Sequence, residues 1–463
     1  MHNVSEPARG FAPDGLWTRL VERVRVDSLA LDVLIVTVTS LVLGVVQLGT
    51  PSLWVDESLT ADEITWPYVR SLEGYYWLYY SIEKPWAALA GDSEWALRFP
   101  SVVAAMLSGA LMVVLARRLF DRRIALLSGL FLVTSPFVVK WSQQARGYTM
   151  MLALSLLATL LLLRALERGT RGAYALYGLA FAAVIVWHPV GGLVLGLPHL
   201  VLILQNRKRF FPHGLLSAAI VLGLGVPWFA QISMRSAGAD TVIAWIPFPT
   251  WHTVTNAVLD ISGAGWFGIV LAAVGLWVLL RRGERSVATW LVVWAFSPFA
   301  VAVVVSVAQH VFLDRYLIAA APAFALLAAL AVTGVARRLG ATLLVVAAAA
   351  TAVALVQWYS YAGSTNWRGE DWRAAAQFAA ERSGGNEVVV VPWWSHAAAE
   401  YYGVKVASLS TADSVWVLNW SETGHRLPAS IRAPLGFGGH RLVKEHRFGW
   451  RVSAQLWKRP AAP

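Results

Sequence analysis

Long apolar stretches recur along most of the chain, and short segments that hold the charged residues separate them. A helix needs about 20 mainly apolar residues to cross a bilayer, and eleven stretches approach or reach that length. The pattern predicts an all-α polytopic membrane protein with about 11 transmembrane helices, in which one pair of the shorter stretches is alternatively a re-entrant hairpin. The stretches are Leu29–Leu48, Phe99–Ala116, Ile124–Val139, Tyr148–Leu163, Ala173–Trp187, Val190–Leu204, Leu215–Ile232, Trp266–Leu280, Val287–Ala308, Tyr316–Ala336 and Gly340–Trp358.

The composition agrees with a membrane protein. Of the 463 residues, 57% are hydrophobic and 14% are charged, and the mean hydropathy is +0.56, which excludes a single soluble enzyme domain. The chain has no cysteine, so disulfides, thiolate metal ligands and cysteine nucleophiles are excluded. In a membrane protein a net charge of +11 anchors cytoplasmic loops, and we expect no nucleic acid among the partners.

The distribution of basic residues predicts the orientation. With the N-terminus inside, the inner segments hold 19 of the 38 Lys and Arg residues, the outer loops hold 7 and the C-terminal tail holds 12. Cytoplasmic loops retain Lys and Arg, so we expect the N-terminus inside and, after an odd number of spans, the tail outside. Arg outnumbers Lys, which is typical of a GC-rich bacterial genome, so we expect the bacterial cytoplasmic membrane.

These patterns divide the chain into a cytoplasmic N-terminal segment 1–28, a transmembrane domain 29–360 and a small extracytoplasmic α/β domain 361–463. The first outer loop, residues 49–94, is rich in Trp and Tyr, so we expect one or two interfacial helices on the outer surface there. In the tail we expect helices at Asp371–Arg382 and near Ser395–Tyr402. The expected strands are Glu387–Val391, Val404–Leu409, Val415–Asn419 and Arg441–Lys458.

The most informative string is PSLWVDESLT at residues 51–60, which places two adjacent carboxylates, Asp56 and Glu57, just after the first span. Acidic residues at membrane depth are costly unless they are used or solvated. A carboxylate there suits a general base that deprotonates a hydroxyl as the hydroxyl attacks a sugar carbon. The alternative is a solvated pair of loop residues. Asp56 and Glu57 are therefore candidate catalytic residues.

Three basic residues, Lys84, Arg146 and Arg315, flank spans on the predicted outer face, which is otherwise poor in charge. Arg binds a phosphate through two parallel hydrogen bonds, and Lys binds it as a point charge. Together the three residues are candidates to bind the phosphate of an outer-leaflet lipid. Each alone has an alternative role as a headgroup anchor or as the ion-pair partner of Glu83 or Asp314.

Two histidines, His188 and His199, are 11 residues apart, which is about three helical turns. Without clustered acidic residues they are a weak metal signal, and packed polar residues of a helical bundle explain them better. The sequence has no HExxH motif and no phosphate-binding Gly-rich loop. We therefore expect no metal site and no cofactor, with a divalent metal as the alternative.

Four strings carry a resemblance to a known family. They are the acidic pair Asp56 and Glu57, GDSEWALRFPS at residues 91–101, QQARGY at 143–148 and DRYLIAAAP at 314–322. With them the chain resembles, over most of its length, membrane glycosyltransferases of the C type (GT-C), specifically the bacterial relatives of protein O-mannosyltransferases and of lipid A aminoarabinose transferase. The tail string EDWRAAAQFAAE at residues 370–381 is similar to the family's extracytoplasmic domain.

The resemblance implies an inverting, metal-independent transfer of one sugar, mannose favoured, from a polyprenyl-phosphate carrier. The acceptor would be an extracytoplasmic hydroxyl on a cell-envelope glycan, a glycolipid or a protein, and membrane lipids would surround the enzyme. The resemblance also implies that Asp56, beside Glu57, is the base and that the donor phosphate is held by Lys84, Arg146 and Arg315.

The resemblance further implies a set of substrate-binding residues, namely Glu73, Glu83, Tyr148, Tyr316 and His188. The string EKP at residues 83–85 is similar to the donor-phosphate motif of aminoarabinose transferases. A count back from Gly91 instead places Glu73 where the mannosyltransferases carry an Asp, but this chain lacks the His and prolines that follow it in their motif. Sugar identity and metal use therefore stay open.

Two other classes of protein are weighed against this one. A transporter or lipid flippase usually has intramembrane charges, broken helices and internal repeats, whereas here the charges gather at the predicted outer surface and no repeated half is visible. A structural membrane protein with an external binding domain would leave the acidic, aromatic first outer loop unexplained.

Overall fold

The structure, a computed structural model, describes residues 26–65, 67, 77–228, 230, 246–362, 369–383, 388–407, 413–421, 427 and 429–460. Most of the described chain is helical. The α-helices are α1 (Val26–Val45), α2 (Val55–Glu63), α3 (Trp77–Ala90), α4 (Glu94–Leu119), α5 (Arg122–Thr134), α6 (Pro136–Ser142), α7 (Tyr148–Arg168), α8 (Arg171–Trp187), α9 (Pro189–Gln205), α10 (Arg207–Ile220), α11 (Trp251–Ile261), α12 (Gly265–Arg281), α13 (Arg285–Ser306), α14 (Ala321–Gly334), α15 (Arg337–Ala362), α16 (Trp372–Ser383), α17 (His396–Tyr401) and α18 (Ala429–Phe437). The strands are β1 (Val388–Val391), β2 (Val406–Ala407), β3 (Ser414–Trp420), β4 (Arg441–Phe448) and β5 (Val452–Lys458).

Among the described residues, seven helical segments are long and apolar enough to cross a bilayer, and two bent helix pairs raise this number to nine. The pairs are α5 with α6, bent by 58°, and α11 with α12, bent by 70°. The apolar helices α8 and α9 have 17 residues each and are shorter than a full span. Each of the eleven predicted stretches overlaps one of these helices. The predicted polytopic, mainly helical fold class is confirmed.

The chain forms two compact units. The helical unit comprises the described residues of Met1–Gly44, Ser101–Ser142 and Gly147–Ala354. The loop-sheet unit comprises those of Val45–Pro100, Gln143–Arg146 and Leu355–Pro463. The loop-sheet unit thus combines the predicted first outer loop with the C-terminal residues.

Small residues let the backbones of the helical unit approach closely. Helix α14 packs against α5, α12 and α13, and every residue from Ala321 to Ala331 is buried. A methyl group added at Gly275 of α12 would lie 2.0 Å from the carbonyl oxygen of Leu327 in α14. Small residues at a helix contact are typical of membrane bundles, where association depends on close van der Waals packing.

The loop-sheet unit contains a five-stranded sheet in the order β2-β1-β3-β5-β4. Strand β1 is parallel to β2 and β3, and β5 is antiparallel to β3 and β4. Helix α16 packs its alanines and Trp372 on one face of the sheet, and Val55 of α2 joins the same core. On the other face, Leu435 of α18 packs with residues of β1, β3 and β5. The sheet confirms the small α/β part of the predicted fold.

The structure differs from the predicted tail at two places. The strand expected at Arg441–Lys458 is a hairpin, because the chain reverses at Gly449, which has a φ of +85° that favours glycine. Helix α18 was not predicted, because Pro434 lies inside it and interrupts the helical pattern of a short segment.

We expect Gly275→Ala to destabilise the helical unit by about 1–3 kcal/mol, because the added methyl group overpacks the contact with α14. Gly196→Ala in α9 is the matched control, since nothing lies within 4 Å of its added methyl group. Thermal unfolding in detergent measures both variants. Equal melting temperatures would contradict the close contact of α12 with α14.

Candidate active site

Helix α2 presents the predicted carboxylates at its beginning. The chain enters the helix through Trp54 in an extended conformation, and Asp56 and Glu57 occupy the first turn. Acidic side chains there interact favourably with the helix dipole. Consecutive helical residues point about 100° apart, so Asp56 and Glu57 face different sides of α2.

Glu57 forms a buried ion pair with Arg98 of α4. The side chains are 0% and 1% exposed, and the guanidinium donates to both carboxylate oxygens at 2.8 and 2.7 Å. The backbone N–H of Ala145 also donates to the Glu57 carboxylate at 2.8 Å. A buried charge pair is tolerable only when such geometry satisfies both partners. Glu57 is therefore fixed inside the loop-sheet unit.

The same arginine holds the segment that leads into α2. Its remaining N–H groups donate to the carbonyl oxygens of Leu48 at 2.8 Å, Pro51 at 3.0 Å and Ser52 at 3.0 Å. With the two bonds to Glu57, these five hydrogen bonds match the five N–H donors of a guanidinium. Arg98 was not among the residues predicted for the site. Its only sequence signal was its place in the GDSEWALRFPS string.

Asp56 is the exposed member of the acidic pair. Its side chain is 22% exposed, and its carboxylate lies 4.0 Å from the guanidinium of Arg146. Arg146 is fixed in turn, because it donates at 3.0 Å to both the Asp56 carbonyl oxygen and the Thr60 hydroxyl. The structure therefore places a reachable carboxylate directly beside one of the predicted phosphate-binding cations.

Two further carboxyl groups of the loop-sheet unit belong to α2 and α3. Burial raises the pKa of Glu63, while a hydrogen bond of 2.6 Å from the Tyr80 hydroxyl and the charge of Arg146 counter this effect. Glu83 is fully buried, and this burial raises its pKa to about 8. Lys84 next to it is half-buried. Glu73 lies outside the described residues.

The third predicted cation, Arg315, belongs to the helical unit, where aromatic side chains surround it. Its guanidinium donates to the Tyr148 hydroxyl at 3.0 Å. The guanidinium carbon lies 5.7 Å from the ring centres of Trp141 and Tyr316 and 5.9 Å from that of Tyr148. His188 packs on Tyr316 with ring centres 4.3 Å apart. Four predicted residues thus gather in one aromatic cluster.

An ion pair lies next to this cluster. Lys140 is 3.8 Å from Asp314, the neighbour of Arg315, and both side chains are about 30% exposed. His199, by contrast, contacts the hydroxyls of Thr159 and Tyr177 at 3.0 and 3.2 Å. His199 is a packed polar residue of the bundle. Among the residues that the structure describes, no group of three or more His, Asp and Glu is arranged to hold a metal ion.

The predicted residues thus fall into two sets. Asp56, Glu57, Glu83, Lys84 and Arg146 belong to the loop-sheet unit, and Tyr148, His188, Arg315 and Tyr316 belong to the helical unit. The first set combines carboxylates with cations. The second places the guanidinium of Arg315 among aromatic rings.

Known proteins with a similar sequence or structure support the helical membrane fold described above. Residues 82–230, about a third of the chain, match the family described as dolichyl-phosphate-mannose-protein mannosyltransferase. The fold is similar to that of ArnT from Cupriavidus metallidurans bound to undecaprenyl phosphate, with a TM-score of 0.64 and 15% identity over 92% of this chain and 97% of that one. No protein of curated function matches the sequence significantly.

Two structures from Archaeoglobus fulgidus are also similar. The oligosaccharyltransferase in the apo form has a TM-score of 0.51 and 14% identity over 85% of this chain and 69% of that one. AglB in complex with an inhibitory peptide and a dolichol-phosphate has a TM-score of 0.52 and 14% identity over 83% of this chain and 69% of that one. At these identities the matches define the fold.

The protein is therefore a polytopic membrane protein with the GT-C fold, and residues 82–230 match a family of mannosyltransferases. The resemblance to protein mannosyltransferases and to ArnT is confirmed.

We expect Arg98→Met to destabilise the protein by about 3–5 kcal/mol, because it leaves the Glu57 charge buried without its partner. Arg118→Met is the matched control on the same helix, since the Arg118–Glu167 pair is 3.4 Å long and partly exposed, and it should cost less than about 1 kcal/mol. Thermal unfolding in detergent compares them. A similarly small decrease of the melting temperature in both variants would refute the structural role of Arg98.

The raised pKa of Glu83 predicts a pH dependence of stability. In the unfolded chain this carboxyl ionises near 4.5, and in the folded protein near 8, so the stability present at pH 4 declines as the pH rises between these values. Glu83→Gln should remove the decline, so the melting temperature of the native protein should fall relative to this variant from pH 5 to pH 8. Glu381→Gln, at an exposed position of α16, should follow the native curve. Parallel curves for the native protein and Glu83→Gln would contradict the prediction.

Proposed function

We propose that the protein transfers a sugar from a polyprenyl-phosphate carrier to a hydroxyl on the outer face of the membrane, with Asp56 as the general base. The observation that carries the proposal is the position of Asp56. It is a partly exposed carboxylate on a helix that the buried Glu57–Arg98 pair fixes, 4.0 Å from the guanidinium of Arg146. The similarity to a structure of ArnT bound to undecaprenyl phosphate supports a lipid-phosphate donor.

The reaction is a single displacement. The Asp56 carboxylate accepts the proton of the acceptor hydroxyl while the hydroxyl oxygen bonds to the anomeric carbon of the sugar. The bond between that carbon and the phosphate oxygen breaks, and the electron pair leaves with the lipid phosphate. The anomeric configuration is inverted because nucleophile and leaving group lie on opposite faces of the sugar.

Cations stabilise the leaving phosphate. Arg146 is held by α2 through its bonds to the Asp56 carbonyl and Thr60, so its charge requires no reorganisation as the phosphate charge develops. Lys84 and Arg315 are assigned the same function. The Arg315 Nε–H donates to the Tyr148 hydroxyl, which holds the guanidinium in place.

Substrate binding is assigned to Glu83, Tyr148, Tyr316 and His188 and, outside the described residues, to Glu73. Glu57 is assigned a positioning role, because Arg98 and the Ala145 N–H hold its carboxylate. The family match favours mannose as the sugar. The acceptor belongs to a cell-envelope glycan, a glycolipid or a protein.

The basic residues of the predicted inner segments support an N-terminus inside the bacterial cytoplasmic membrane and an active site outside. The domain assignment follows from this orientation. Residues 1–28 are cytoplasmic, 29–360 form the transmembrane domain, and 361–463 are extracytoplasmic.

We expect Asp56→Asn to lower kcat by about 100- to 10,000-fold, because the amide cannot accept the proton, while undecaprenyl phosphate still binds. Asp62→Asn, at an exposed position of the same helix, is the matched control and should transfer at the native rate. The assay uses purified protein in liposomes, radiolabelled polyprenyl-phosphate mannose and extracted envelope acceptors. Binding of undecaprenyl phosphate is measured separately by thermal shift.

Native transfer in Asp56→Asn would remove this residue from the mechanism. If no chain transfers mannose, the same assay is repeated with other polyprenyl-phosphate sugars. The proposed function would be overturned if none of these sugars were transferred and undecaprenyl phosphate did not change the melting temperature.

A further inference from the structure

A second buried carboxylate reaches the beginning of α2 from the C-terminal part of the loop-sheet unit. Glu370 is fully buried and lies two residues before the first residue of α16. Its Oε2 atom accepts a hydrogen bond from the backbone N–H of Val55 at 3.1 Å. Val55 is the first residue of α2, and its N–H is one of those that an α-helix cannot satisfy internally. Glu370 therefore supplies a cap to the helix from 315 residues away.

The Glu370 carboxylate is itself held from two sides. Trp372 donates its indole N–H to Oε2 at 3.1 Å, and Arg451 donates to Oε1 at 3.3 Å. Arg451 is the last residue of the turn between β4 and β5, so the sheet hairpin supplies the countercharge. These contacts determine where the carboxylate lies, and a displaced carboxylate would lose the Val55 N–H.

Other C-terminal side chains bind the segment before α2. The Tyr402 hydroxyl accepts from the Leu53 N–H at 2.7 Å, and Arg373 donates to the Thr50 carbonyl oxygen at 3.2 Å. The Ser52 hydroxyl donates to the Glu370 carbonyl oxygen at 3.1 Å. Residues 50, 52, 53 and 55 thus all have polar partners in the C-terminal part of the loop-sheet unit.

Apolar packing also holds α2 against the sheet. Val55 is part of the core formed by α16 and the sheet, and Leu59, one turn further along α2, packs against that core. The face of α2 that carries Val55 and Leu59 is therefore directed to the sheet. Asp56 and Thr60 lie on the next face, where Arg146 contacts them.

We propose that Glu370 is a positioning residue for the transfer reaction, which holds α2, and with it Asp56, in the orientation that the base requires. The C-terminal α/β region then contributes to the rate of the chemical step without contacting substrate. This inference rests on the proposed function. It assigns a specific role to a residue that the sequence analysis had not singled out.

The test compares Glu370→Gln with Glu445→Gln. The amide has the same shape as the carboxylate, but it must present a donor either to Val55 or to Arg451, so one contact is lost. Glu445 is a partly buried glutamate of β4 that contacts Gln455 and Arg447 and not α2, so it controls for the same substitution in the same sheet. The measurements are kcat and KM for polyprenyl-phosphate mannose, and amide hydrogen exchange of the full chain in detergent.

In Glu370→Gln we expect kcat to be about 10- to 100-fold lower, because displacing a catalytic base by about 1 Å lowers the rate by about this factor. The KM for the donor should change by less than about threefold, because lost positioning affects the transition state rather than donor binding. Amides of residues 55–60 should exchange faster, while those of β1, β3 and β5 remain as in the native protein. Glu445→Gln should match the native protein in all of these.

The proposal would be overturned if amide hydrogen exchange at residues 55–60 of Glu370→Gln kept the native rate. It would also be overturned if exchange became faster while kcat stayed native, or if the substitution changed only the KM for the donor. If the amide variant does not fold, Glu370→Asp replaces it, because this variant keeps the charge beside Arg451 and is one methylene too short to reach Val55. If the native chain transfers no sugar, the proposed function fails. The exchange comparison then decides by itself whether Glu370 holds α2.

Discussion

The buried pair between Glu57 and Arg98 determines the geometry of the candidate site. Removing two charges from water costs several kcal/mol per ion, and only complete hydrogen bonding offsets that cost. Here all five guanidinium donors have acceptors, two on the Glu57 carboxylate and three on the backbone before α2. The segment cannot move without breaking this set of bonds. The helix that follows it therefore begins at a fixed place.

This constraint separates the functions of two neighbouring carboxylates. Consecutive helical residues point about 100° apart, so when Glu57 faces Arg98, Asp56 must face elsewhere, and the structure directs it toward Arg146. The buried Glu57 is thus held in place, and the partly exposed Asp56 is the carboxylate that we propose as the base. The two arginines are held by hydrogen bonds as well, since Arg146 donates to the Thr60 hydroxyl and Arg315 donates to the Tyr148 hydroxyl. Such preorganisation is what stabilises charge that develops in a transition state.

Sequence alone predicted the features that depend on local pattern. The spans followed from the lengths of apolar runs, and Asp56 from an acidic pair next to a span. Arg98 and Glu370 were missed because their partners are distant: 41 residues separate Arg98 from Glu57, and 315 separate Glu370 from Val55. The residue pattern by itself did not distinguish Asp56 from Glu57; the resemblance implied Asp56 as the base, and the fold shows that Glu57 is the buried one. In the tail, Gly449 was the local signal for the hairpin that we predicted as one strand.

The central claim, that Asp56 is the reactive carboxylate and Glu57 the structural one, is tested most directly by chemical modification. The folded protein is treated with a carbodiimide and an amine, and tandem mass spectrometry locates the modified carboxyl in the 56–57 pair while sugar transfer is measured in parallel. Our account predicts modification of Asp56 that proceeds at the rate of inactivation, with Glu57 modified only after unfolding. Modification of Glu57 in the folded protein, or full modification of Asp56 without loss of transfer, would contradict it.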